Sequence, residues 1–329
     1  MALIKCEECG NMISDKAKKC PKCGAPRLIQ QQTQSSMRQF SQQRPVQKPE
    51  YYYDEEDDGS QHKKLYIIIG FLTLALLALG GYLVWQKRSD NPEDTMKQKI
   101  ENLDPVIQNL INNMVTVEGG TFTMGATPEQ GYGDNDEHPT HQVTLSSFSI
   151  GRYEVSQGEW EIVMDTNPAS FAGDNCPVEF VSWYDCKEFI NKLNDMTGMK
   201  FRMPTEAEWE FAARGGNKSQ GYQFSGGNNL NSLAWHAGNS GSRTKAVGLK
   251  SPNELGLYDM SGNLWEWCSD WYGIYNASSQ TNPIGPASGT AHVLRGGGWN
   301  GGAKNCRISN RDGRAPDYSS DRLGLRLAL

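Results

Sequence analysis

Apolar positions are spread unevenly along this chain, and their spacing divides it into pieces. From Leu65 to Trp85 the sequence LYIIIGFLTLALLALGGYLVW carries no charge and is bracketed by Lys63-Lys64 and Lys87-Arg88. A helix crossing a ~30 Å hydrocarbon layer needs roughly 20 apolar residues, with aromatic rings near its ends. Tyr66, Tyr82 and Trp85 sit where such rings belong, so residues 65–85 are expected to form one transmembrane helix. The stretch begins too far from the N terminus for a cleaved signal peptide.

Beyond it, residues 86–113 read as a juxtamembrane linker with some helical character from Pro92 to Asn113, and residues 114–329 as one large domain. The string VTVEGGTFTMGA, Val115 to Ala126, alternates β-forming residues around Gly119-Gly120, which predicts a hairpin. Three helix starts follow, each a hydroxyl with an acid three residues on, the reciprocal pair that satisfies the first N–H groups of a helix. They are Ser156 with Glu159, Ser182 with Asp185, and Thr205 with Glu208. Behind the second, Cys186, Phe189, Ile190 and Leu193 recur at helical spacing, one face turned to a core. Past about Gly215 periodicity fades into Gly, Asn, Ser and Trp. That half must be held by buried indoles, hydrogen bonds and, where ligands allow, ions.

Composition adds to this picture. Among 329 residues, 35 are Gly and 9 are Trp, and such a Gly excess over the usual ~7% suits a loop-rich domain with aromatic anchors. The net charge of −6 argues against a nucleic-acid partner, whose binders present a basic face. The eight cysteines fall into two groups. Cys6-x2-Cys9 and Cys20-x2-Cys23 form paired knuckles in residues 1–27, the spacing of a closed tetrahedral zinc site in a small zinc ribbon. Two disulfides are the alternative in an oxidising compartment. So short a segment buries little, so the metal would supply its folding energy. Residues 28–64 are Gln- and Ser-rich and then acidic through YYYDEEDD, a disordered linker by composition.

Basic residues near the span do not decide its orientation. Lys48, Lys63 and Lys64 precede it, while Lys87, Arg88, Lys97 and Lys99 follow. Thiolate zinc persists best in a reducing compartment, which places the N terminus in the cytoplasm and the large domain outside, in a single-pass membrane protein.

The large domain carries GGTFTMGA (119–126), YEVSQGEW (153–160), PVEFVSWYDCKEFINKL (177–193), FRMPTEAEWEFAARGG (201–216), NELGLYDMSGNLWEWCSDWY (253–272), LRGGGW (294–299) and LGLRLAL (323–329). In these strings it resembles the formylglycine-generating enzyme family, also called sulfatase-modifying factor. The resemblance implies an α+β, C-type-lectin-like fold with much irregular structure and bound calcium. The family's calcium turn maps onto Asp259, Met260, Gly262 and Leu264, one side chain and several carbonyls, the oxygen donors calcium takes. Asn239 matches part of a second calcium site, whose acidic partner segment is missing.

Members that oxidise a peptide cysteine use two cysteines five residues apart, which can hold Cu(I). Here those positions are Gly301 and Cys306. One thiolate cannot build a copper pair unless another, such as Cys268, reaches it. The expected role is therefore a binding or scaffolding module, and the alternative is a non-standard oxidase that makes formylglycine from a peptide cysteine, or does related oxygen-dependent chemistry, through Cys306. The terminal segment is similar to the ligand-facing one of lectin-fold variable proteins, which would put Asn300 to Asn305 and Asp312 to Arg322 on an open face for a peptide, protein or glycan. The zinc ribbon would meet a cytoplasmic partner. Cys176 and Cys186 read as core residues or a disulfide. His138 and His141, in HPTH, and the isolated His236 and His292 read as structural or solvent-facing rather than metal ligands.

Overall fold

Two units, Met1–Phe71 and Leu72–Leu329, make up the computed structural model, which describes residues 3–5, 12–14, 66–70, 72–81, 92–131 and 133–329. In the first unit β1 (Leu3–Lys5) pairs antiparallel with β2 (Met12–Ser14), Leu3 opposite Ser14. The cysteines expected to hold zinc and the expected linker 28–64 lie outside the described residues. Residues 66–70 are helical in the first unit and 72–81 in the second (α1), with Tyr66, Ile67, Leu74 and Leu77 exposed. Among the described residues no helix is long and apolar enough to cross a membrane. The expected span 65–85 includes positions outside them.

The large domain begins earlier than its strand pattern suggests. Helix α2 (Pro92–Glu101) is followed by α3 (Pro105–Asn112), which starts where Asp104 accepts from the Val106 N–H at 2.8 Å. Ile107 and Leu110 of α3 are buried and join the same apolar cluster as Trp160, Phe189 and Leu193. Part of the expected linker is thus core.

Next come β3 (Met114–Val117), β4 (Gly120–Met124), β5 (His141–Leu145) and β6 (Phe148–Gly151). The hairpin expected around Gly119-Gly120 does not form: β3 pairs with β6 and β4 with β5, so two antiparallel ribbons are nested. The chain steps between them at Gly119, where a Cβ would lie 2.4 Å from the Leu145 carbonyl oxygen, and the Gly119 N–H donates to Ser147 Oγ at 3.0 Å. Alternation alone cannot distinguish a turn from such a step.

Helices α4 (Gln157–Met164), α5 (Trp183–Thr197) and α6 (Glu206–Ala213) start at Ser156, Ser182 and Thr205, each with the reciprocal cap expected. The face Cys186, Phe189, Ile190, Leu193 is buried, and Phe189 stacks on Trp160 with centroids 4.8 Å apart. The irregular half, after the short α7 (Leu230–Leu233), contributes β7 (Trp265–Trp271), β8 (Gln280–Thr281), β9 (His292–Arg295), β10 (Arg311–Arg314) and β11 (Leu323–Gly324). Strand order β10-β9-β7-β11 makes the main sheet, with β11 parallel to β7, and β8 extends the β4-β5 ribbon. Buried ion pairs tie this half to α6. Glu210 pairs with Arg295, and Glu206 with Arg311.

Candidate functional site

The segment after β9 turns back on itself through Gly296 and Gly297, both at positive φ, and delivers Asn300 to Asn305 to the surface. There Trp265, Asn300, Gly301, Asn305, Asp312, Arg314, Tyr318 and Arg322 line a cavity of about 220 Å³. The structure thus brings together both stretches expected on the open face. Arg314 pairs with Asp312 at 2.7 Å and Arg322 with Asp321 at 3.3 Å. With its amide oriented to satisfy both groups, Asn300 accepts from Arg322 Nε at 3.1 Å. These pairs are half-exposed, and pairs of this kind contribute about 0–1 kcal/mol, so the guanidinium groups can exchange partners for a ligand at small cost.

Gly301 faces this cavity and Cys306 does not. Cys306 is fully buried against Phe224, Leu233 and Leu230, and burial pushes its thiol up to about 12. A side chain at 301 would have to fit 3.1 Å from the Gly298 carbonyl oxygen and 3.2 Å from Asn305 Cβ. Cys268 is buried in a separate apolar cluster with Met260 and Val293, where burial raises its thiol well above the ordinary value. Cys176, Cys186, Cys268 and Cys306 are all free. A thiolate pair for copper does not fit these residues, since one position has no side chain and the other thiol is buried in apolar packing.

The expected calcium turn is a cluster of buried charge. Asp259 and Asn263 adopt left-handed backbone, as does Gly262, where a Cβ would meet the Trp235 carbonyl oxygen at 2.4 Å. Asp259 Oδ2 accepts from the Gly248 N–H at 2.7 Å, while Oδ1 is buried without a hydrogen-bond partner. The Leu264 and Met260 carbonyl oxygens converge beside Gly296, 3.5 and 3.6 Å from where its Cβ would be. Glu154 accepts from the Leu264 N–H at 3.0 Å and from Asn263 Nδ2 at 2.6 Å. Glu266 accepts from Arg326 at 2.6 Å and from Trp209 Nε1 at 2.6 Å.

Three buried carboxylates, Glu154, Asp259 and Glu266, therefore face one guanidinium, Arg326. Burial, reinforced by the Asp259 and Glu266 charges, holds Glu154 well above the ordinary carboxylate range, and burial lifts Asp259 to about 6. An orphaned oxygen, converging carbonyls and surplus negative charge fit a hard divalent cation. Glu154, Glu266 and Arg326 were not singled out from the sequence. Nothing local marks them: an acid between apolar residues, as in Tyr153-Glu154-Val155 and Trp265-Glu266-Trp267, has the alternation of a half-exposed strand, and only the tertiary packing buries Glu154 and Glu266.

Asn239 is not part of this cluster: its amide accepts from the His236 N–H at 2.9 Å and donates to the Ala234 carbonyl at 3.0 Å, closing its own turn. A second acidic group, Asp134, Asp136 and Glu137, is taken up by protein donors. Glu137 is buried, yet hydrogen bonds from Arg307 and Ser309 hold it at about 2. Tyr272 Oη donates to Asp136 at 2.5 Å, and Lys304 pairs with Asp134 at 2.7 Å. His292 is packed between Trp183 and Trp271, with centroids 4.0 and 3.8 Å away.

A family model described as the Sulfatase-modifying factor enzyme 1-like domain matches residues 99–329, and one for a zinc-ribbon domain matches residues 5–27. The chain is similar to a chaperone protein LppX from Paenibacillus barcinonensis, 34% identical over 63% of this chain and 87% of the relative. It is similar to a formylglycine-generating enzyme from Thermomonospora curvata, 29% identical over 67% and 94%. Among solved structures, Treponema denticola variable protein 1 superposes with a TM-score of 0.60 at 33% identity, covering 65% of this chain and 94% of that one. PvdO from Pseudomonas aeruginosa gives 0.59 at 30% identity, covering 65% and 93%.

Proposed function

The chain belongs to the sulfatase-modifying-factor family, and from that membership we propose that its large domain is a binding module for polypeptide, anchored at a membrane, and not an oxidase. The observation that carries this reading is the pair of positions where oxidising members keep cysteines. Gly301 has no side chain, and the Cys306 thiol is buried among Phe224, Leu230 and Leu233, away from the polar cavity. Thiol chemistry needs the thiolate, and a thiol pushed up to about 12 holds almost none near neutral pH. The cavity in turn offers what recognition uses: Asn300, Asn305, Arg314 and Arg322 as donors, and Trp265 and Tyr318 as rings. A relative named as a chaperone supports a polypeptide ligand.

In this reading calcium occupies the Asp259 turn as a structural ion. The Asp259 carboxylate and the Met260, Gly262 and Leu264 carbonyls would hold it, and the ion would offset the surplus charge of Glu154, Asp259 and Glu266. Zinc on Cys6, Cys9, Cys20 and Cys23 folds the N-terminal ribbon, which meets a cytoplasmic partner, and residues 65–85 cross the membrane with the large domain outside.

The test is to co-express the full chain with a sulfatase-motif peptide in copper-supplemented cells and follow the peptide cysteine by mass spectrometry. The expected result is an unconverted cysteine, together with peptide binding that weakens in Arg322→Ala. Conversion to formylglycine that disappears in Cys306→Ala would overturn the reading in favour of the oxidase.

A further inference from the structure

A second cavity, of about 390 Å³, opens at the far end of β7 and shares no lining residue with the polar cavity at Gly301. Asp270 is one of its lining residues and is only 3% exposed. Its Oδ2 accepts from the Glu206 N–H at 3.1 Å and from Ser269 Oγ at 2.9 Å, and among the described residues no donor reaches Oδ1. The neighbouring charges are already matched. Glu206 takes two hydrogen bonds from Arg311 at 2.7 Å each and one from Tyr275 Oη at 3.0 Å. Arg311 also donates to the Gly273 carbonyl and lies 4.1 Å from the Tyr275 ring centre. Asp270 is thus the acid of this cavity left without a cationic partner. Burial, with the Glu206 charge beside it, pushes its carboxyl up to about 7.

The rim is apolar. Ile274 is 95% exposed and Ile284 74%, and Trp271, Pro283 and Pro286 continue the wall behind them. Large aliphatic side chains held in water beside a cavity mark a contact surface, and 300–1,000 Å³ is the usual size of a small-molecule site. A carboxyl without a cationic partner, beside the matched Glu206–Arg311 pair and under an apolar rim, selects a ligand with a cationic head and an apolar body.

We propose that this cavity binds an organic ammonium, its N–H groups donating to Asp270 Oδ1 and its apolar body resting on Ile274, Ile284 and Trp271. A free amine and the N terminus of a peptide share this chemistry. The test is calorimetric titration of the full-length protein, near pH 8, with 2-phenylethylamine, with the neutral 3-phenylpropan-1-ol and with the tripeptide Phe-Gly-Gly. The amine is expected to bind at least about tenfold more tightly than the alcohol, and to lose at least that factor in Asp270→Asn. A stronger signal from the tripeptide assigns the site to a chain terminus, and a weaker one to a free amine. Ile274→Lys, at a position in solvent, is expected to weaken the amine without unfolding the domain, and it carries the test should Asp270→Asn fail to fold. Equal binding of alcohol and amine, amine binding unchanged in both variants, or displacement of the amine by magnesium alone would overturn the proposal.

Discussion

At the residue scale, the buried carboxyl groups of this domain divide into those matched by protein donors and those that are not. Glu137, with its Arg307 and Ser309 partners, lies at about 2 in the fold, below the ordinary 4.5. A depressed group contributes stability that is present above its unfolded value and lost as pH falls, so acid melts should show a loss between about pH 4.5 and 2 that Glu137→Gln lacks. Asp259 has the opposite sign. Raised from 3.8 to about 6, it contributes stability below pH 3.8 that is lost as pH rises through 6. Bound calcium favours the ionised form, so the gain in melting temperature from calcium over chelator should grow across that interval and vanish in Asp259→Ala. At Cys306 the expectation is kinetic: iodoacetamide should leave it unmodified in the native protein and label it after denaturation, as read by peptide mass spectrometry.

The elements are held by local chemistry that can be removed one group at a time. Ser182 Oγ accepts from the Asp185 N–H, and Gly198 ends α5 in left-handed backbone. Ser182→Ala should cost about 1 kcal/mol, a fall of about 2–4 °C in melting temperature for a domain of this size. Helix α3 behaves as core and not as linker, because Ile107 and Leu110 pack with Trp160 and Leu193. A chain beginning at residue 92 should therefore melt cooperatively, whereas one beginning at 114 should melt lower and bind a hydrophobic dye. Equal melting of the two would show that α3 adds nothing to the core. The three capped helices were legible in the sequence because a cap is a contact over three residues. The pairing of β3 with β6 was not, because nothing local to VTVEGGTFTMGA says which strand will lie beside it.

Across the whole molecule, the irregular half is fastened by arginines without solvent contact. Arg326 donates to Glu266 and to the carbonyls of Gly151 and Tyr258, joining the C-terminal segment to β6, β7 and the Asp259 turn. Removing one partner of such a buried pair costs about 3–5 kcal/mol, so Arg326→Met should yield little folded protein, with calcium restoring part of it. The chain by itself determined the helices, the burial face of α5, the two cysteine groups and the family strings, since each is written in spacing over a few residues. It also showed that Gly301 stands where a thiol is needed. Only the tertiary structure decided the rest: that Cys306 points into apolar packing, that Glu154, Asp259 and Glu266 share one guanidinium, and that Asp270 lies without a cationic partner under an apolar rim. Those facts depend on which side chains meet across roughly 60 to 110 residues of chain, and a thiol or carboxyl takes its reactivity from the solvent and charges that meeting leaves around it.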